Sequence, residues 1–245
     1  MKTAIKINDL TKNYKDVTAV DRLNLEIYEG ELFSLLGVNG AGKTTTIKML
    51  ATLVKPTSGD ANVFNYSILK DEERIKEIID ISMQETAIAR KLTVEENIEF
   101  YGSLSGLDKL ELNEIKKAIY ETFGFDKIAK KQASKLSGGW QRKLSIALAL
   151  VTNPKILFLD EPTLGLDVIA RRELWKTIKS LKGKMTIILT THYMEEAEDL
   201  SDRIGIMKDG NLLFVGTKEE LFNYTNKKNV EESFVHIVSG GELNE

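Results

Sequence analysis

GVNGAGKTT, residues 37–45, lies between an apolar run, ELFSLL (31–36), and TTTIKMLATLV (44–54), which reads as a helix. Gly37, Gly40, Gly42, Lys43 and Thr44 fit the spacing G-x-x-x-x-G-K-[ST]. The glycines let the backbone curl. The N–H groups along Gly37, Asn39, Gly40, Ala41, Gly42 and Thr45 then face phosphate oxygens, and the next helix adds its positive end. Lys43 brings a point charge to the β- and γ-phosphates, and the Thr44 hydroxyl is a ligand for Mg²⁺. Strand, glycine loop and helix is the order such a loop needs. The stretch therefore predicts an α/β protein that binds a nucleotide.

The chain has 245 residues, enough to bury a full core as one domain or as one domain with an insertion. A net charge of -3 argues against coating nucleic acid, which needs a basic stripe. With no cysteine, disulfides, thiolate catalysis and Cys-ligated zinc are excluded. The opening MKTAIKINDLTKNY has no apolar core of signal-peptide length. The longest apolar stretches, such as LSIALALV (144–151), fall far short of the about 20 residues of a membrane helix. The expectation is a chain that does not cross a membrane itself and would borrow any membrane role from a partner.

TAIKI (3–7), AVDRLNLEI (19–27) and ELFSLL read as strands, the last two joined by a tight YEG turn. The middle of the chain, 87–152, reads as a helical insertion. Thr93 and Glu96 form a capping-box pattern, Leu112, Ile115, Ile119 and Phe123 share a helix face stopped by Gly124, and a third helix opens at SGG (137–139). KILFLD (155–160) and MTIILTT (185–191) read as buried parallel strands, VIARRELWKTIKSLKG (168–183) as a helix between them and YMEEAEDLSD (193–202) as a short one after. RIGIMKDGNLLFVG (203–216) reads as a hairpin on Asp209-Gly210, and TKEEL (217–221) opens a capped helix. No structure is assigned to 226–245.

Asp160 and Glu161 close the strand KILFLD. The first acid is placed to hold Mg²⁺, the second to orient and deprotonate an attacking water. His192 follows the strand MTIILTT directly, so it should reach the same sheet edge and contact a γ-phosphate. Tyr14 precedes the second strand, where its ring either stacks on adenine or is an ordinary surface or core tyrosine. No N-K-x-D segment follows a late strand, so guanine is disfavoured. On its own, Ser137-Gly138-Gly139 is more readily a plain capped helix than a second phosphate cradle, and Gln84 is an unremarkable polar residue.

Together these motifs resemble the ATP-binding-cassette (ABC) ATPases, over about residues 3–222: the aromatic Tyr14, the phosphate loop, a Q-loop at Gln84, the signature LSGG at 136–139, Walker B at 156–161, a D-loop at 164–167 and the switch histidine His192. The resemblance implies a P-loop NTPase (RecA-like) core with an N-terminal antiparallel β subdomain and an inserted α-helical subdomain. Its expected bounds are 1–225, with the core at 1–86 and 153–225 and the helical part at 87–152. It implies ATP and Mg²⁺ as cofactors, with Gln84 as a further Mg²⁺ ligand, and Lys43, Glu161 and His192 in catalysis. It also implies two cassettes paired head to tail, a homodimer in the simplest case, in which Ser137, Gly138, Gly139 and Asp167 serve the partner's nucleotide. An integral membrane permease would be the other partner, placing the chain on the cytoplasmic face of the cell membrane.

Trp140 stands where the family often has Gln, and LGLD where SALD is more frequent. LSGGWQRKLSIALAL, the LGLD variant and the ending EESFVHIVSGGE (231–242) look most like cassettes of ABC-2 type exporters. The competing expectation is a soluble cassette acting in cofactor assembly, DNA repair or translation. The coiled coils, zinc modules and doubled cassettes of those relatives are not evident in the sequence.

Overall fold

The computed structural model describes residues 2–240. Strands β1 (Thr3–Tyr14) and β2 (Val17–Tyr28) pair antiparallel, from Thr3 opposite Tyr28 to Tyr14 opposite Val17. Alternate residues, among them Ile5, Ile7, Leu23, Leu25 and Ile27, are buried, the period-2 pattern of a half-covered sheet. With β4 (Ser58–Val63) and β5 (Tyr66–Ser67) they form a sheet of order β2-β1-β4-β5.

The second sheet has order β10-β9-β3-β8-β7-β6. It consists of β3 (Leu32–Leu36), β6 (Ile79–Ser82), β7 (Ile156–Asp160), β8 (Thr186–Thr191), β9 (Arg203–Lys208) and β10 (Asn211–Gly216). Its pairings are parallel except β9 with β10. Every residue of β3, β7 and β8 is buried, as their largely apolar runs suggest. The YEG turn therefore does not close a hairpin. It carries the chain from the first sheet, where β2 pairs with β1, into the second, where β3 pairs with β8 and β9. A strand apolar on both faces is stable only at the centre of a covered sheet.

Helix α1 (Lys43–Leu50) follows β3 and ends sooner than the pattern of 44–54 suggests. Thr52 adopts φ 59, Leu53 N–H donates to Lys48 O and Thr52 N–H to Met49 O, a Schellman closure without glycine. After α2 (Glu72–Lys76) and β6 come α3 (Val94–Leu104), α4 (Lys109–Phe123) and α5 (Gly138–Ala149). The Thr93–Glu96 capping box is formed, and Gly124 ends α4 at φ 73. Helix α5 is buried from Arg142 to Ala149, which explains the apolar stretch at 144–151: it is a helix enclosed by sheet and neighbouring helices. Among the described residues no helix is long and apolar enough to cross a membrane.

Helices α6 (Val168–Leu181) and α7 (Met194–Leu200) flank β8, and α8 (Lys218–Thr225) follows the hairpin, whose turn residues Asp209 and Gly210 both have positive φ. The stretch left unassigned in the sequence contains a further helix, α9 (Val230–Val238), capped by the Asn229 side chain. Val230 and Phe234 bury against Ala197, Ile204, Ile206 and Leu221, with Ile237 and Val238 packed beside them, so tertiary packing of one apolar face holds a short helix. The end of that stretch, 241–245, lies outside the described residues.

On β6, Asp80 accepts from Ile81 N–H at 2.7 Å and from the Thr152 hydroxyl at 3.1 Å. Burial nonetheless pushes its carboxyl up to about 6 from 3.8. The folded state therefore holds a proton there that the unfolded chain has released, and this contribution to stability is present below about pH 4 and lost as pH rises through about 6. Asp80→Asn should raise the melting temperature at pH 7 and flatten its fall between about pH 4 and 6, measured by calorimetry across that range.

Candidate functional site

The loop between β3 and α1 is threaded closely through its surroundings. A Cβ on Gly42, which has φ 103, would lie 2.4 Å from Ala19 O. One on Gly37 would lie 2.5 Å from Met207 O. Gly37 N–H donates to Thr191 O at 3.2 Å, tying the loop to the end of β8. Beyond it opens a cavity of about 730 Å³ lined by Tyr14, Asn39, Gly40, Ala41, Gly42, Lys43, Thr44, Thr45, Gln84, Glu161 and His192 among others. Its size falls within the roughly 300–1,000 Å³ of small-molecule sites.

The parallel register sets the chemistry. Asp160, at the end of β7, lies opposite Thr190 of β8. Asp160 Oδ1 accepts from the Thr44 hydroxyl at 2.9 Å and from the Thr190 hydroxyl at 2.5 Å. Asp160 Oδ2 is buried with no partner. A buried carboxylate oxygen left bare beside a cavity-lining hydroxyl fits a small hard cation, since Mg²⁺ takes few protein ligands and completes its shell with phosphate and water.

Lys43, 5% exposed, folds back on its own loop and donates to Gly37 O at 2.6 Å and Val38 O at 3.1 Å. Its Nζ also lies 3.3 Å from Glu161 Oε1. Glu161 Oε2 in turn meets His192 Nδ1 at 2.7 Å. Lys43, Glu161 and His192 thus form one row along the cavity. Glu161 adopts φ 47, a region that side-chain-bearing residues rarely enter, and its N–H is held by both the carbonyl and the hydroxyl of Thr190, each at 3.1 Å. Tyr14 is 45% exposed at the cavity rim, with the Lys12 ammonium 5.1 Å from its ring centroid.

Ser137, Gly138, Gly139 and Asp167 do not line the cavity of their own chain. Ser137, Gly139, Trp140 and Asp167 border a separate hollow of about 270 Å³ between the starts of α5 and α6. Ser137 occupies the N-cap of α5 without a side-chain capping bond, and nothing lies within 4 Å of a Cβ built on Gly138. Asp167 Oδ1 accepts from Ile169 and Ala170 N–H, both at 2.9 Å, and so caps α6. The Trp140 indole packs on Phe125, with ring centroids 6.0 Å apart, and lies under the Lys143 ammonium.

Sequence reasoning missed Thr190 and Arg142. The first was findable, because aligning the two apolar strands at their ends places Thr190 beside Asp160. The second, a buried arginine on α5 that donates to the carbonyls of Asp160 and Pro162, carries no local signal.

The profile of the family described as ABC transporter matches residues 20–164. The chain belongs to the ABC transporter family. It is an ATPase cassette of that family, with a P-loop NTPase core, an antiparallel β subdomain and an inserted helical subdomain, and its nucleotide is ATP. It is 43% identical, over 87% of its length, to the phospholipid-transporting ATPase ABCA3 of Homo sapiens, of which it spans 13%. It is 40% identical, over 89%, to the probable multidrug ABC transporter ATP-binding protein YbhF of Escherichia coli (strain K12), of which it spans 38%. The cassette thus matches a fraction of each of these longer proteins. Among solved structures, an ATP binding subunit of an ABC transporter superposes with TM-score 0.84 at 25% identity, covering 96% of this chain and 99% of that one. A dimeric ATP-binding cassette in a post-hydrolysis state, bound to ADP and Pi, superposes with TM-score 0.76 at 27% identity, covering 87% and 98%.

Removing the Lys43 charge leaves Glu161 without the cation 3.3 Å from its Oε1. Lys43→Ala is expected to weaken ATP binding at least about tenfold, read by titration with a fluorescent ATP analogue.

Proposed function

We propose that this cassette hydrolyses ATP to drive a membrane exporter, through ATP-dependent pairing of two copies of the chain. The observation that carries the proposal is the division of labour within one chain. The phosphate loop and the Lys43–Glu161–His192 row share one cavity, whereas the Ser137–Gly139 turn stands apart, at the open N-terminus of α5. A helix N-terminus with an uncapped Ser137 hydroxyl and open space around Gly138 receives an anion well, and among the described residues no acidic side chain hydrogen-bonds it. A second copy, turned head to tail, would bring its bound ATP there.

In this reading Tyr14 stacks on the adenine, and Gly37, Asn39, Gly40, Ala41, Gly42 and Thr45 wrap the phosphates. Lys43 shifts from the Gly37 and Val38 carbonyls to the β- and γ-phosphates, which frees Glu161 to orient and deprotonate the attacking water. His192, hydrogen-bonded to Glu161, steadies that carboxylate and faces the γ-phosphate. Thr44, Asp160 and Gln84 would hold Mg²⁺, whose charge offsets that of the phosphates. Asp167 and the Ser137 turn bind across the pair. Loss of the γ-phosphate removes the link between the halves, so the pair closes with ATP and opens after hydrolysis.

The membrane side rests on kinship. A phospholipid-transporting ATPase and a probable multidrug transporter subunit among the relatives favour export of the ABC-2 type. An integral permease partner would hold the cassette on the cytoplasmic face, with residues 87–152 as the helical subdomain and Gln84 as the link that carries motion to it.

Glu161→Gln preserves the shape of the side chain and removes the base. It should keep ATP affinity within about twofold and lower turnover at least about a hundredfold in a phosphate-release assay. Turnover near that of the unaltered chain would remove Glu161 as the base.

A further inference from the structure

Arg142, in the second turn of α5, is 4% exposed, and its four hydrogen bonds all go to backbone carbonyls. Nε donates to Pro162 O at 2.8 Å, and Nη2 to Asp160 O at 2.9 Å. Nη1 donates to Gln84 O at 3.2 Å and to Met83 O. Burial draws its pKa down to about 10, so the protein keeps a cation where desolvation opposes it, and these four carbonyls offset that cost. The rigid guanidinium fork suits this task, since it presents five N–H donors in fixed directions.

The partners fall into two pairs. The Asp160 and Pro162 carbonyls flank Glu161, whose φ of 47 persists only where its surroundings over-determine it. Thr190 grips the Glu161 N–H from β8, and Arg142 grips the carbonyls on either side of it from α5. The Met83 and Gln84 carbonyls belong to the segment that leaves β6 and brings Gln84 to the cavity. A single side chain on the helix that begins at Ser137 therefore holds both the Glu161 turn and the Gln84 segment.

We propose that Arg142 is a positioning residue: it fixes the backbone of Glu161 and Gln84 for hydrolysis and ties both to the Ser137 turn. A phosphate received at Ser137–Gly139 from a second chain then sets the geometry of the hydrolytic site in the first. The coupling between chains rests on the proposed pairing, whereas the hold on Glu161 is a property of one chain.

The test uses Arg142→Met and Arg142→Lys in the full chain. Both should bind ATP within about twofold of the unaltered chain, while kcat falls at least about tenfold in Arg142→Met and recovers only in part in Arg142→Lys, because an ammonium cannot span four carbonyls. In nucleotide-free Arg142→Lys, amides of 83–86 and 160–165 should exchange with deuterium at least about tenfold faster, with β1 and β2 unchanged. Parallel loss of ATP affinity and kcat, or unaltered exchange in either segment, would overturn the positioning role. If Arg142→Met does not fold, Arg142→Lys still carries the exchange comparison. The coupling is read in Glu161→Gln, where pairing with ATP should slow exchange at 160–165 further when Arg142 is present and not in Arg142→Lys. A chain that hydrolyses ATP without ever pairing overturns the coupling and the two-chain reading together, and the nucleotide-free exchange then decides the hold on Glu161 alone.

Discussion

The parallel register of β3, β8 and β7 is the constraint on which the site depends. Leu36 pairs with Thr191 and Asp160 with Thr190, so the three strands finish side by side. The segments beyond the strand ends are thereby delivered to one place: the phosphate loop after β3, Glu161 after β7 and His192 after β8. A slip of one residue in any of these strands would exchange its two buried faces and separate Asp160 from Thr44. The apolar residues that fill these strands on both faces therefore serve the chemistry at their ends as directly as the polar ones do.

Electrostatics at that edge is arranged around phosphate. Lys43 and Glu161 are both nearly enclosed and 3.3 Å apart, and the lysine also spends its donors on Gly37 and Val38 carbonyls. These bonds keep a buried cation and anion satisfied before nucleotide arrives, at a site where either alone would be costly. Phosphate oxygens are the natural competitor for the same donors. In the proposed mechanism, Glu161 is thus held next to Lys43, the group that must move for it to act.

How much of this was legible in the sequence depended on whether the signal was local. The phosphate loop, the acids closing KILFLD, the capping box at Thr93 and the Asp209-Gly210 turn are each set by a few neighbouring residues, and each stands where the pattern put it. The passage of the chain between sheets at Tyr28–Glu31 was not legible, because hairpins and sheet changes share the same turn residues and differ only in what covers the next strand. Helix α9 carries a signal, Asn229 as cap and Val230, Phe234, Ile237 and Val238 at helical spacing, but within a stretch otherwise read as polar. Arg142 reads as one more charge in QRK until the carbonyls around it are seen. Of the site residues, Gln84 and Asp167 are tied to nucleotide in the sequence only through resemblance, and Ser137 and Asp167 border a separate hollow away from the cavity of their own chain.

Pairing through the Ser137 turn is read most plainly by sedimentation of the Glu161→Gln chain with and without magnesium-free ATP, beside the same chain carrying Ser137→Arg. A 27.5 kDa monomer should shift to a species of twice that mass on adding ATP, and the shift should be lost when arginine fills the Ser137 turn. A monomer that binds ATP and never shifts, or a dimer indifferent to Ser137→Arg, would contradict head-to-tail pairing.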